Sequence, residues 1–237
     1  MLRRWSMRRV LFYIAAAGLL SGCTQASRKS ELNPNLGVEN PAAISELQMR
    51  DQKNHPVTEQ MWRDARSLGA VKAPEFGLKD TDGVAVSVKS LTSGNRPLLI
   101  FFIERQCPCC LGAKYFVDKF VDLYGDKISV VGIINANHEQ ALLWKMGTKP
   151  RFRVIEDPYQ KAIQFYKAER GVYTALIKSD GTIYKAYPGY DIKMLQEISC
   201  KLAEFANLPA KEYVSPAAPK VTTSGCTFPE PEKENSK

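Results

Sequence analysis

Histidine is scarce in this chain of 237 residues: there are two, His55 and His138. Neither has partners at metal-ligand spacing, so no multi-histidine metal centre is written here and both are expected at the solvated surface. No internal repeat is visible, which excludes solenoids and propellers. The first apolar run, Val10 to Leu20, falls short of the roughly 20 residues that a membrane-spanning helix needs. The formal charge is +8, yet no long Lys/Arg cluster concentrates it, so a nucleic-acid partner is not indicated. Cysteine is also sparse, at six, but Cys107, Cys109 and Cys110 fall within four positions of one another.

The first two dozen residues address the compartment. Arg3, Arg4, Arg8 and Arg9 precede the short apolar run, and small residues follow it. This is the anatomy of an export signal. Leu20-Ser21-Gly22-Cys23 resembles the lipobox of bacterial lipoproteins, which implies cleavage before Cys23, lipidation of its sulfur and acylation of its new amine. Several acyl chains, at about 0.8 kcal/mol per buried CH₂, anchor a protein firmly. The expected location is the bacterial cell envelope, lipid-anchored and facing the periplasm or extracytoplasmic space. Losing the four arginines of residues 1–22 takes the formal charge from +8 to +4, so half the basicity belongs to export.

Residues 23–72 then read as a lipid-anchored tether, polar and without apolar periodicity, apart from a short helix expected from Thr58 to Ser67. Residues 209–237 are rich in Pro, Glu and Lys and are expected to lack regular structure. Residues 73–208 between them make one domain.

That domain alternates strands and helices. Asp80-Thr81-Asp82-Gly83 separates two short β-prone runs, a hairpin signal. Leu98 to Ile103 is apolar on both faces, as a central parallel strand should be. A helix from Pro108 follows, with Ala113, Phe116, Val117, Phe120, Val121 and Tyr124 at helical spacing. Next come a strand from Ile128 to Ile134, a helix with Asn137 and Gln140 placed as a capping box, and a strand from Arg151 to Ile155. Asp157-Pro158 reads as the cap and first residue of another helix. An antiparallel pair turns at Ser179-Asp180-Gly181, and a helix from Ile192 to Ala206 closes the domain. The class is α/β.

This order, with Cys107-Pro108-Cys109-Cys110 directly after the first central strand, resembles the thioredoxin fold, and the added hairpin and the turn near Gly181 resemble its redoxin (AhpC/TSA-like) branch. The resemblance spans about Ala73 to Leu208. It implies a three-layer sandwich, a central mixed β-sheet flanked by helices with an N-terminal β-hairpin, and a membrane-tethered thiol-disulfide oxidoreductase. The implied partners are protein thiols or disulfides and a separate electron donor or acceptor, with no cofactor. Gly225-Cys226 resembles a tail seen in some extracytoplasmic redoxin domains.

Helix physics agrees on which thiol attacks. Cys107 precedes Pro108 and so stands at the helix mouth, where free N–H groups and the dipole stabilise an anion. Cys110 lies one turn on, on the same side, within disulfide reach. Cys107 is therefore the expected nucleophile and Cys110 the resolving thiol. Cys109, about 100° around the helix from Cys110, is a second resolving thiol or a metal ligand.

The chain departs from the resemblance in four places. Tyr173 stands where the thioredoxin family carries a cis-proline, so the resemblance makes it an auxiliary site residue, and a trans bond is expected before it. Phe101 replaces the buried acidic proton acceptor, for which Glu104 is the substitute. Gln106 replaces an aromatic residue. The peroxiredoxin pattern Pro-x-x-x-Thr-x-x-Cys meets Ile100 and Glu104, which argues against specialised peroxide reduction, the peroxiredoxin-like alternative. A second alternative is a copper chaperone resembling the Sco type, with Cu(I) on Cys107, Cys109 and Cys110; Arg170 then stands where that family has a histidine. Cys200, opposite the apolar stripe of the last helix, and Cys226 are expected to form a structural disulfide pinning the tail.

Overall fold

A computed structural model of the chain describes residues 55–231. Its centre is made by the two continuous apolar runs. β3 (Leu98–Ile103) and β4 (Ser129–Ile134) lie side by side in parallel, buried throughout. Side chains alternate across a strand, so Leu99, Phe101 and Ile103 enter one core while Leu98, Ile100 and Phe102 enter the other.

Around them the sheet runs β2-β1-β5-β4-β3-β6-β7. β5 (Arg153–Glu156) extends the parallel side, and β1 (Leu78–Asp80) and β2 (Ala85–Val86) add an antiparallel edge. On the other flank β6 (Tyr173–Ile177) pairs antiparallel with β3, and β7 (Ile183–Tyr187) with β6. The sheet is mixed.

Helices cover both faces. α1 (Glu59–Ser67), α2 (Val88–Leu91) and α5 (Lys161–Phe165) bury Ala65, Val88, Leu91, Ala162 and Ile163 on the Phe102 side. α3 (Pro108–Tyr124), α4 (His138–Thr148) and α6 (Ile192–Phe205) cover the Phe101 side through Phe116, Phe120, Trp144, Leu195, Ile198 and Leu202. This is the thioredoxin-like sandwich. No helix among the described residues is long and apolar enough to cross a membrane.

Two features differ from the sequence reading. Asp157 does not open α5 directly: Gln160 takes a left-handed conformation first, φ 54°, and the Asp157 carboxylate accepts from the Lys161 and Ile163 amides at 2.8 and 3.0 Å. The aspartate still serves the helix's free N–H groups, from three residues further back. The tail after Pro209 has no helix or strand among the described residues, but it is packed. Tyr213 is buried in the α3/α6 core and donates its hydroxyl to the Phe116 carbonyl at 2.8 Å.

Candidate active site

Everything chemically distinctive gathers where α3 begins. Cys107 is its N-cap, extended at φ −78° and ψ 112°, and Pro108 fills the first helical turn, where a missing N–H costs nothing. Asn135, at the end of β4, accepts from the Arg105 amide at 2.8 Å. The Glu104 carboxylate accepts from the Gln106 amide at 3.0 Å. The turn that presents Cys107 is therefore fixed from both central strands.

Four thiols are free here: Cys107, Cys109, Cys110 and Cys226. The neighbouring thiols of Cys109 and Cys110 favour the Cys107 anion most, and that of Cys226 adds to them. The Cys226 amide donates to the same sulfur at 3.1 Å. Together these hold the Cys107 thiol far below the usual thiol range, against a smaller opposing push from burial. Cys110 is the opposite case. It is completely buried, and burial pushes its thiol well up, reinforced by the neighbouring Cys107. Burial likewise raises Cys226, to about 12. The site thus favours the anion at Cys107 and the proton at Cys110 and Cys226.

Gly171 makes room for Cys110. A Cβ on Gly171 would sit 2.7 Å from the Cys110 sulfur and 3.2 Å from the Glu104 nitrogen, well inside contact distance. Val172 follows at φ 64°, strained for a β-branched residue, and its amide donates to the Phe102 carbonyl at 3.0 Å. No peptide among the described residues is cis. Tyr173, expected as an auxiliary group, is not at the site. It starts β6 on the opposite face, where its ring packs edge-on against Phe102 with centroids 5.7 Å apart.

Glu104 is at the site. It is 6% exposed, its carboxylate lies within 4.8 Å of the Cys107 and Cys226 sulfurs, and burial raises its pKa.

The tail supplies what sequence reasoning missed. Cys226 is a free thiol, so the expected bridge to Cys200 is not formed. Cys226 instead lies over Cys107 because its segment pairs with the loop before β6. Gly171 donates to the Cys226 carbonyl and Gly225 to the Gly171 carbonyl, both at 2.9 Å. Gly225 is needed there, since a Cβ would meet the Gly171 oxygen at 2.9 Å. His55, expected in solvent, is drawn in by the same segment and has its Nε2 3.9 Å from the Cys226 sulfur. The Gly-Cys pair was the one available signal; nothing near His55 announced its position. His138 pairs with Glu156 at 2.7 Å, outside the site.

The copper reading fares poorly as first placed. Among the described residues, the ligand atoms within 4.8 Å of one another belong to His55, Cys109 and Cys226, and to Glu104, Cys107 and Cys226. The trio Cys107, Cys109 and Cys110 forms no such group. Arg170 makes a 3.7 Å ion pair with Glu169, and its segment bridges to Thr227. Cys23 lies outside the described residues.

Comparison with known proteins agrees with this picture. Residues 70–186 match the AhpC/TSA family. A Helicobacter pylori protein named as a peroxiredoxin, bcp, is 31% identical over 136 residues, covering 51% of this chain and 86% of that protein. A Bacteroides thetaiotaomicron structure named as a protein disulfide isomerase superposes with TM-score 0.52 at 20% identity, over 59% of this chain and 90% of that one. A Chlorobium tepidum structure named as a thiol:disulfide interchange protein, DsbE, gives 0.52 at 18%, over 58% and 96%. At such identities the two structures speak for the fold alone. The extent and identity of the Helicobacter match carry more, and with it this chain belongs to the AhpC/TSA family.

Proposed function

We propose that the protein is a thiol-disulfide oxidoreductase that exchanges disulfides with protein partners through Cys107 and Cys110. One observation carries this reading: a free thiol caps the mouth of α3 and accepts from the Cys226 amide, with a second free thiol, Cys110, one turn along the same helix. The Cys107 thiolate attacks one sulfur of a partner disulfide and releases the other as a thiol. A mixed disulfide with Cys107 results. Cys110 then loses its proton, with Glu104 the nearby acceptor, and attacks the Cys107 sulfur. The partner leaves as a dithiol, with one proton from Cys110 and one from solvent, and the two electrons it gained are those that Cys107 and Cys110 gave up in forming their disulfide. A separate donor returns the dithiol form; the reverse sequence oxidises a partner.

Cys107 is only 2% exposed, under the tail. The first step therefore needs the Gly225–Cys226 segment to lift. An incoming extended peptide can replace it by taking the same Gly171 N–H and carbonyl, the edge pairing by which strands commonly recognise peptides.

The test is a pair of variants. Cys107→Ser should abolish reduction of a small disulfide protein substrate. Cys110→Ser should accumulate a mixed disulfide, seen as a reductant-sensitive adduct on gels. Hydrogen peroxide serves as the competing substrate: turnover of peroxide faster than of protein disulfides would favour the activity for which the Helicobacter relative is named. The extracytoplasmic location and the lipid on Cys23 belong to this reading. The intact mass of membrane-extracted protein tests the lipid on Cys23.

A further inference from the structure

Cys107 and Cys110 suffice for the proposed exchange, and the structure gives the other two thiols, Cys109 and Cys226, a common neighbour. The His55 Nε2 and the sulfurs of Cys109 and Cys226 all lie within 4.8 Å of one another. Three distant segments deliver them: the stretch before α1, the first turn of α3 and the tail. The stretch before α1 and the tail are fastened together at this point. Ser224 donates to the His55 carbonyl through both its amide, at 3.0 Å, and its hydroxyl, at 2.9 Å. Next to them, Thr223 bridges Pro56 on one side and Tyr190 on the other. Cys109 is buried while His55 and Cys226 are half-buried, so an ion can reach the cluster from solvent.

We propose that His55, Cys109 and Cys226 bind one thiophilic d10 cation, of the Zn(II) or Cu(I) class, in the reduced protein. Two sulfurs and an imidazole are the donors such ions select. Tetrahedral Zn(II), with nitrogen at about 2.0–2.1 Å and sulfur at about 2.3 Å, places its N and S ligands about 3.6 Å apart. The 3.9 Å between His55 Nε2 and Cys226 Sγ needs only a small closure to match. Three protein donors leave a fourth position open, as in exchangeable rather than sealed zinc sites. A Cys107–Cys110 disulfide consumes none of the three donors, so metal binding does not require the exchange dithiol.

Zn(II) is the redox-silent probe. Reduced full-length protein is titrated against a chromophoric chelator, and one equivalent should bind. His55→Ala and Cys226→Ser should each weaken binding by tenfold or more, while His138→Ala should leave it unchanged. Far-UV circular dichroism checks that each variant folds. His55→Gln, which keeps a polar group in place, repeats the test should the alanine variant unfold. Co(II) in place of Zn(II) should show sulfur-to-metal charge transfer that diminishes in Cys226→Ser. Absence of stoichiometric binding, or binding equally tight in both His55 variants, overturns the site. Because the metal is read directly, a protein inactive in disulfide exchange leaves this result standing.

Discussion

The backbone amide of Cys226 donates to the sulfur of Cys107, 119 positions earlier in the chain, at 3.1 Å. The contact does two things at once. It adds a donor to an anion at the mouth of α3, and it places the tail over the atom that must react.

The tail is tied down partly through Asp191. One carboxylate oxygen caps α6 by accepting from the Met194 amide at 2.8 Å, and the other accepts from the Thr222 hydroxyl at 2.6 Å. Asp191→Ala should therefore cost about 1 kcal/mol from the lost cap. It should also speed alkylation of Cys107 by loosening the segment above it. Denaturant unfolding and the rate of iodoacetamide labelling check the two halves separately.

Gly171 faces the buried resolving sulfur with no room for a side chain. Gly171→Ala would put a Cβ 2.7 Å from Cys110 Sγ. Overpacking of this kind costs about 1–3 kcal/mol, and here it displaces Cys110 from Cys107. Chemical denaturation should show the loss, and closure of the Cys107–Cys110 disulfide should slow.

Glu104 acts on the two sulfurs in opposite senses. Its charge disfavours the Cys107 thiolate, while in the proposed cycle its carboxylate takes the Cys110 proton. Glu104→Gln should leave attack by Cys107 as fast or faster and slow resolution of the mixed disulfide. Single-turnover kinetics with a labelled disulfide peptide distinguishes the steps; equal slowing of both would remove Glu104 from proton transfer.

Stability of the reduced protein should follow pH with a turning point. The folded state lowers the Cys107 pKa, so below the unfolded thiol value of about 8.5 the unfolded chain binds more protons. That contribution grows as pH rises toward this value and fades as pH falls through the folded one. The raised Cys110 and Cys226 thiols work the other way: above about 8.5 the folded state holds protons that the unfolded chain has lost, and stability declines. Cys107→Ser should flatten the rising limb and keep the falling one, as read by urea unfolding across pH.

Much of the fold was legible because its centre is periodic. β3 and β4 announce themselves as unbroken apolar runs, and α3 by the spacing of Phe116, Phe120 and Tyr124. The helix-mouth position of Cys107 followed from Pro108 alone. What the sequence did not disclose depends on pairing over long distances. Nothing local in Cys226 tells that Gly171 will claim its carbonyl, and nothing around His55 tells that Ser224 will hold its backbone. The Cys200–Cys226 bridge was inferred from the helical position of one cysteine without the path of the other. The start of α5 slipped because Asp157 looks like a cap at its own position, while Gln160 makes an extra turn.

The central claim is that Cys107 is a thiolate at neutral pH. A titration of ultraviolet thiolate absorbance measures this without requiring access to the buried sulfur, comparing reduced protein with Cys107→Ser. The difference should be one thiolate whose midpoint lies far below the free-thiol value of about 8.5. A midpoint at or above that value would contradict the account.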